Sequence, residues 1–562
     1  MKRSRTIVVA LLTGALLSCT VLFALISPRP YAFNADDLEN DYYHNGWLVA
    51  AGSAELADVY HPGTPIHYLS AGIINLVGND PAKTQDVLNV AYVIIGIVNA
   101  LAIALFIFLL PLETPAAVAF LCGALIIAPT PFLKVLNAFG EDAFLSAALL
   151  PALALIWSAL LNMRRFTQKL LIGVGLLLGL SMAIKFIAAP LMLAVSVALV
   201  PLLWRLMKQK QLPWYAPLVV PAVATVSFMA LAYPALGRFD ELQAKMHTSG
   251  WIHTAIHMVK NPFLIVNTLP LYTLIAYLIL GVAACLWVWD LDSRSTHLAG
   301  REDVRRDRMT VDIPLFLGAL LANGAYAVAR INLGYISMDT GSTVRYLIPS
   351  FLVLPFLVHY IALHFQRSIF SRWLQRGIAA VAVLLLAVSV SLYQRERVRM
   401  VAYYMDVESA LEEAITLHSR PGERVAVMHL ASDNRGNPRG NAVFHFWGFR
   451  RAVRPQGFDD AMLKAFPHEA YFRYDLARDI VAGKPLENPE EEVISGEKQK
   501  LFPTAFILSD HDIMASDFAN RGTPMMRFLS RRIGRPLYIF PVTALGKTWT
   551  VLSVYPQHVR AS

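Results

Sequence analysis

Long apolar runs separated by short polar segments fill the first 394 residues of the chain. Each run is about 18–25 residues long, and an α-helix of that length crosses the hydrocarbon core of a bilayer. The pattern therefore predicts eleven membrane-spanning helices. They are predicted at residues 7–27, 88–110, 115–132, 143–162, 169–187, 188–206, 214–236, 263–289, 311–330, 345–365 and 377–393.

The composition agrees with a membrane protein. Of the 562 residues, 56% are hydrophobic and 16% are charged. Soluble proteins carry about 25% charged residues. The three cysteines, Cys19, Cys122 and Cys285, all lie in predicted spans, so no disulfide framework is expected.

Basic residues predict the orientation of the chain, because short cytoplasmic loops are enriched in Lys and Arg. Residues 2–5, 290–308 and 366–376 are rich in Lys and Arg, which places them in the cytoplasm. The opposite loops have few basic residues, and eleven spans then place the C-terminal tail outside. The net charge of +9 comes mostly from these orienting Lys and Arg residues. The sequence shows no convincing basic patch on a soluble face, so nucleic-acid binding is not predicted.

The N-terminal run has two interpretations. A basic start followed by an apolar stretch is also typical of a signal peptide. The apolar run continues through Ile26 without a small-residue cleavage site after it, which favours an uncleaved first helix.

Residues 395–562 are polar and charged, and their pattern predicts a C-terminal soluble α/β domain. Such a length is sufficient for a separate core. Strands are predicted at 424–430, 504–509, 536–542 and 548–554, and helices at 407–418 and 524–534.

Two acidic pairs stand at the ends of predicted spans on the outer side. Asp36-Asp37 follow the first span within the long outer loop 28–87, and Glu141-Asp142 precede the fourth span. Carboxylates at the edge of hydrocarbon need a partner, a wet cavity or a function. The two pairs can converge on one cavity. The alternative for Asp36-Asp37 is a solvated helix N-terminus, since Asn34 and the aspartates favour one.

Three cations accompany the acids near the outer ends of spans: Lys134, Lys185 and Arg345. Arg binds phosphate as a bidentate fork and Lys as a point charge. The alternative is that these side chains extend toward lipid headgroups. His253 and His257 have a spacing that can bind a metal, but with no third ligand an interfacial amphipathic helix is favoured.

The order of these features resembles the GT-C superfamily of membrane glycosyltransferases. The resemblance rests on the acidic pair after the first span, the motif HPGTPIHYL, the second acidic pair, the lysine in GLSMAIKFIAAPL and the late motif RYLIPS. It covers residues 1–394 and is nearest to bacterial members of the dolichyl-phosphate-mannose–protein mannosyltransferase family and to the aminoarabinose and galacturonosyl transferases. The tail is not diagnostic, although such enzymes often carry an outer soluble domain.

The resemblance implies inverting transfer of a sugar from a polyprenyl-phosphate donor on the outer face of the bacterial inner membrane. The acceptor would be an envelope glycolipid, a glycan or a protein. Asp36 or Asp37 would be the catalytic base, and Glu141 or Asp142 the second acid. The implied donor-phosphate ligands are Lys185, Arg345 and Lys134, and His61 and Tyr346 would belong to the substrate loops.

The residue types suit that reaction. A carboxylate can accept the proton of an attacking hydroxyl, and cations stabilise a leaving phosphate. Four carboxylates allow a divalent cation, Mg²⁺ or Mn²⁺, without requiring one. A transporter or lipid flippase is the main alternative, and a structural or assembly protein is another. The chain shows no internal repeat of the kind that many transporters have, so an enzyme is favoured.

Overall fold

A computed structural model describes the apolar helices and a β-sheet near the C-terminus. The described residues are 2–26, 36–52, 64–78, 83–128, 133, 136–162, 166–185, 188–232, 237, 311–332, 352–365, 372–418, 425–430, 469–472, 505–508, 536, 538–544 and 547–553.

Most of the described residues are helical. The helices are α1 (Lys2–Ile26), α2 (Asp36–Ala50), α3 (Thr64–Val77), α4 (Thr84–Leu109), α5 (Ala116–Ile127), α6 (Glu141–Leu161), α7 (Gln168–Ile184), α8 (Ala188–Lys208), α9 (Ala216–Leu231), α10 (Ile313–Asn332), α11 (Val353–Phe365) and α12 (Arg372–His418).

Five of these helices, α1, α4, α6, α8 and α12, are long and apolar enough to cross a membrane. Shorter apolar helices are α5, α7, α9, α10 and α11. Each predicted span except 263–289 overlaps one of these ten helices, and 263–289 lies outside the described residues. The chain is therefore a multi-pass helical membrane protein, and the total of eleven spans stays a prediction.

The predicted first outer loop contains two helices within its described part. α2 begins at Asp36, so the acidic pair forms the first residues of a helix. α3 begins at Thr64, inside the motif HPGTPIHYL.

Helix α7 packs against α6 and very closely against α9. A Cβ atom added at Gly175 would lie 2.8 Å from Cβ of Val223, and one at Gly179 would lie 2.9 Å from Oγ of Ser227. Small residues at such interfaces let two helix backbones approach, which is a common way to join helices in a membrane. This contact holds α7, and Lys185 follows directly at its end.

A buried polar network joins α6, α11 and the turn before α5. The indole Nε1 of Trp157 donates a hydrogen bond to Nδ1 of His359 at 3.0 Å, and Thr114 Oγ1 lies 2.8 Å from Nε2 of the same ring. An indole N–H can only donate, so Nδ1 accepts and the ring proton lies on Nε2. The hydroxyl of Thr114 is then the acceptor of the Nε2–H.

Other contacts join neighbouring parts of the same bundle. Arg205 of α8 forms an ion pair with Asp312, which is buried beside the start of α10. Arg5 near the start of α1 donates to the backbone oxygens of Leu110 and Pro111, just after α4.

Helix α12 runs for 47 residues without interruption. The sequence predicts a span at 377–393 and a separate helix at 407–418, whereas the structure joins them. The intervening residues 394–406 contain no Gly or Pro, so nothing in the backbone ends the helix there. At 1.5 Å per residue, α12 is about 70 Å long, which is longer than a bilayer's hydrocarbon core.

The tail contains a five-stranded mixed sheet in the order β2-β1-β3-β5-β4. Its strands are β1 (Val425–Leu430), β2 (Glu469–Phe472), β3 (Ala505–Leu508), β4 (Tyr538–Ala544) and β5 (Lys547–Ser553). β1 pairs in parallel with β2 and β3, with Val425 opposite Ala505. β5 pairs antiparallel with β3 and β4.

Four strands lie within two residues of their predicted positions, and the short strand β2 was not predicted. The predicted helix 524–534 lies outside the described residues, so an α/β domain stays a prediction.

The chain divides into two compact units. One contains Met1–Leu22, Val59–Ile66 and Tyr92–Gln394. The other contains Phe23–Asp58, His67–Ala91 and Arg395–Ser562. The assignment of these regions to a catalytic membrane domain and an outer domain stays a prediction.

Candidate functional site

Lys185 joins both members of the second acidic pair in a buried ion cluster. Its Nζ lies 2.6 Å from Oδ1 of Asp142 and 3.0 Å from Oε1 of Glu141. The exposed fraction is 1% for Lys185, 3% for Asp142 and 0% for Glu141. We call these three residues the acid–lysine cluster.

Local structure explains why the three side chains meet. Glu141 and Asp142 are the first two residues of α6, after an extended Gly140. The N-terminus of a helix favours negative charge, and the C-terminus favours positive charge. Lys185 caps the C-terminus of α7 in an extended conformation, and its backbone N–H donates to the carbonyl of Ser181. Since α6 packs against α7, each charge lies at the helix end that stabilises it.

The acid–lysine cluster brings together three ionisable side chains that are all buried. Burying charge is costly even when it is paired, and ionisable groups within membrane segments are a default sign of function. The buried ammonium of Lys185 is held by carboxylates and does not extend toward headgroups as the snorkelling alternative requires.

A second set of polar contacts fixes the segment that leads into α6. Asn137 Nδ2 donates to the carbonyl of Leu133 at 2.7 Å, and its Oδ1 accepts a hydrogen bond from the hydroxyl of Thr20 in α1. Asn99 of α4 donates to the carbonyl of Leu136 at 3.3 Å. These residues hold the start of α6 in place through two other helices.

Thr20, Asn99 and Asn137 were not singled out from the sequence. The available signal was their polarity within or beside apolar runs, because a buried amide or hydroxyl in a membrane needs a partner. That signal identifies candidates without naming the partner of each.

The other predicted site residues are described only in part. Asp36 and Asp37 open α2, and their side chains lie outside the described residues. Further predicted residues that lie wholly outside the described residues are His61, Lys134, Arg345 and Tyr346, together with His253 and His257.

The described residues contain no group of three or more His, Cys, Asp or Glu side chains placed to hold a metal ion. Glu141 and Asp142 supply two carboxylates, and both already contact the ammonium of Lys185. We therefore assign no step to a metal at this cluster.

No protein-family model matches the sequence, and no curated protein matches it. Solved structures do match. ArnT from Cupriavidus metallidurans, solved bound to undecaprenyl phosphate, matches with a TM-score of 0.44 and 12% identity, over 98% of this chain and 99% of that one.

An archaeal oligosaccharyltransferase, AglB from Archaeoglobus fulgidus, was solved with an inhibitory peptide and a dolichol-phosphate. It matches with a TM-score of 0.38 and 13% identity, over 96% of this chain and 74% of that one.

Proposed function

We propose that this protein is an inverting glycosyltransferase that uses a polyprenyl-phosphate-linked sugar. The observation that carries the proposal is the acid–lysine cluster, with three ionisable side chains buried among membrane helices. Burying ionisable groups is costly even when they are paired, so a purely structural core has little reason to contain three of them. A reaction that moves a proton and releases an anion needs such groups.

In the proposed reaction, an acceptor hydroxyl attacks the anomeric carbon of the donor sugar. The new bond joins the acceptor oxygen to that carbon, while the bond from the carbon to the phosphate oxygen breaks. The electron pair leaves with the lipid phosphate. Asp36 or Asp37 takes the hydroxyl proton, and Glu141 or Asp142 orients the acceptor.

Cations stabilise the phosphate as its charge develops. We assign this role to Lys185, Arg345 and Lys134, with His61 and Tyr346 in the segments that contact substrate. Lys185 has a further task, because its contacts with Glu141 and Asp142 fix the orientation of those two side chains.

The proposed setting is the bacterial inner membrane, with eleven spans and a cytoplasmic N-terminus. The tail, residues 395–562, is a periplasmic α/β domain in this proposal. The long isoprenoid of the donor stays in lipid, which accounts for a reaction site built among membrane helices. The acceptor is an envelope glycolipid, a glycan or a protein.

The test is acceptor-dependent release of undecaprenyl phosphate by the purified protein. Undecaprenyl-phosphate-linked pentoses and hexoses serve as donors, and an envelope extract supplies acceptors. The variants Asp36→Asn, Asp37→Asn, Glu141→Gln and Asp142→Asn remove one carboxylate each. Loss of the general base should lower the rate by about 10²–10⁴-fold while donor binding survives.

A matched control is Asp86→Asn, which removes an acid from the first turn of another helix, α4. It should keep the parent rate. Near-parent activity in all four acid variants would contradict the mechanism. Movement of intact donor across vesicles without release of lipid phosphate would instead favour a transporter or flippase.

A further inference from the structure

Helices α2 and α3 are joined by a compact set of buried polar and small residues. The set comprises Tyr42, Asn45 and Gly46 of α2 with His67 and Ser70 of α3, and we call it the α2–α3 clasp. All five residues belong to the same compact unit.

Two contacts of the clasp are directional. Asn45 Nδ2 lies 3.3 Å from Nε2 of His67, within hydrogen-bond distance. The ring of Tyr42 lies against the same imidazole, with ring centroids 5.3 Å apart. Tyr42, Asn45 and His67 are exposed by only 3%, 2% and 1%. A buried amide–imidazole contact specifies one register of two helices, whereas apolar packing tolerates several.

The third contact is a close approach of backbone to side chain at Gly46. A Cβ atom added there would overlap Oγ and Cβ of Ser70 and would lie 3.1 Å from the backbone nitrogen of Ala71. Ser70 is fully buried, so it has little room to move away. Only glycine at position 46 permits the observed separation of α2 and α3.

The clasp lies on the helix that begins with the first acidic pair. Asn45 follows Asp37 by eight residues, or about 12 Å along the helix axis. A 15-residue helix is marginal by itself in water, so tertiary contacts decide where it lies. A displacement of α2 at Gly46 is carried by the helix backbone to Asp36 and Asp37.

We propose that the α2–α3 clasp is a positioning device that sets the place of the Asp36-Asp37 carboxylates for proton transfer. The inference rests on the proposed function, since it takes those acids to be the base. Its members are positioning residues that act through α2. Proton transfer depends steeply on geometry, and a misplacement of 1 Å can cost about 10²-fold in rate.

The main experiment uses one substitution that creates a steric clash and a second substitution that removes it. Gly46→Ala should lower kcat for release of undecaprenyl phosphate by about tenfold to hundredfold and leave the donor KM unchanged. Adding Ser70→Gly removes the atoms that the new methyl group meets, so the double variant should regain much of the lost kcat. Gly72→Ala on α3 is the matched control, because a Cβ there meets nothing within 4 Å.

A second readout is independent of turnover. Amide hydrogen exchange of residues 36–44 should be faster in Gly46→Ala than in the parent and return toward the parent rate in the double variant. The two measurements distinguish a failure of the proposed function from a failure of the clasp as a positioning device. If the acid variants keep parent activity, the proposed function fails. If Gly46→Ala leaves both kcat and the exchange of 36–44 unchanged, the clasp fails as a positioning device.

A milder pair of variants covers the case in which Gly46→Ala does not accumulate. His67→Ala removes the imidazole contact without adding atoms, and His67→Gln keeps a polar group that can reach Asn45. The alanine variant should lose kcat and the glutamine variant should recover part of it, at equal thermal unfolding midpoints. Equal kcat in His67→Ala and the parent would overturn the inference.

Discussion

Nζ of Lys185 lies 2.6 Å from Oδ1 of Asp142, and both side chains are buried. The contact joins the end of α7 to the start of α6 across 43 residues of sequence. Glu141 shares the same ammonium at 3.0 Å. The charge state of each member therefore affects the other two.

Lys185→Met should destabilise the protein strongly. The change leaves two buried carboxylates without their ammonium, and breaking a buried pair costs about 3–5 kcal/mol. The measurement is the thermal unfolding midpoint in detergent. Lys169→Met is the control, because Lys169 is an exposed lysine of the same helix.

Neutralising the acids together with the lysine should restore part of this loss. The triple variant Lys185→Met, Glu141→Gln, Asp142→Asn has no uncompensated charge in the cluster. A midpoint as low as that of Lys185→Met would show that the cost is not electrostatic.

Arg345→Ala should weaken donor use much more than it weakens folding. Loss of a charged contact to the leaving phosphate should cost about 2–4 kcal/mol in kcat/KM for the donor. Arg376→Ala is the control, because Arg376 is exposed and stacks on Trp373 with its Cζ 5.4 Å from the ring centre. Equal kcat/KM in Arg345→Ala and the parent would leave Arg345 as an interfacial anchor.

Trp157→Phe should destabilise the helix bundle through its effect on His359. The ring of phenylalanine fills most of the space but cannot donate to Nδ1, so a buried acceptor loses its hydrogen bond at a cost of about 1–3 kcal/mol. Thermal unfolding measures the loss. Trp214→Phe is the control, since Trp214 is 78% exposed, and an equal midpoint for Trp157→Phe and this control would contradict the account.

The orientation is tested by reporter fusions. Alkaline phosphatase, which is active only in the periplasm, should be active when fused after Ser562 and inactive when fused after Arg306. The reason is the excess of Lys and Arg in the predicted cytoplasmic loops. The opposite pair of results would reverse the orientation and move the acidic pairs to the inner side.

Several elements follow from local sequence alone. Apolar length predicts α1, α4, α6, α8 and α12, because a helix must hide its backbone from lipid over a fixed thickness. Alternating β-branched residues predict β1 and β5 within two residues of where they lie. The acidic pairs stand out because charge is rare in such runs.

The local sequence pattern does not predict an element correctly when the element is very short, or when one helix continues through a change from apolar to polar residues. β2 has only four residues between polar segments, so its periodicity is too brief to detect. α12 passes from an apolar run into QRERVR without a break, because hydropathy changes there while helix propensity does not.

The sequence by itself determined that this is a multi-pass helical chain with acidic pairs at span ends, because hydrophobic periodicity and charge placement are local properties. The tertiary structure decided the partners. Lys185 meets Asp142, and Trp157 meets His359 from 202 residues away, only because α7 packs on α6 and α11 lies beside it. Such pairings depend on how closely whole helices approach each other. Close contacts at residues such as Gly179 set that distance, and no local pattern in the sequence encodes it.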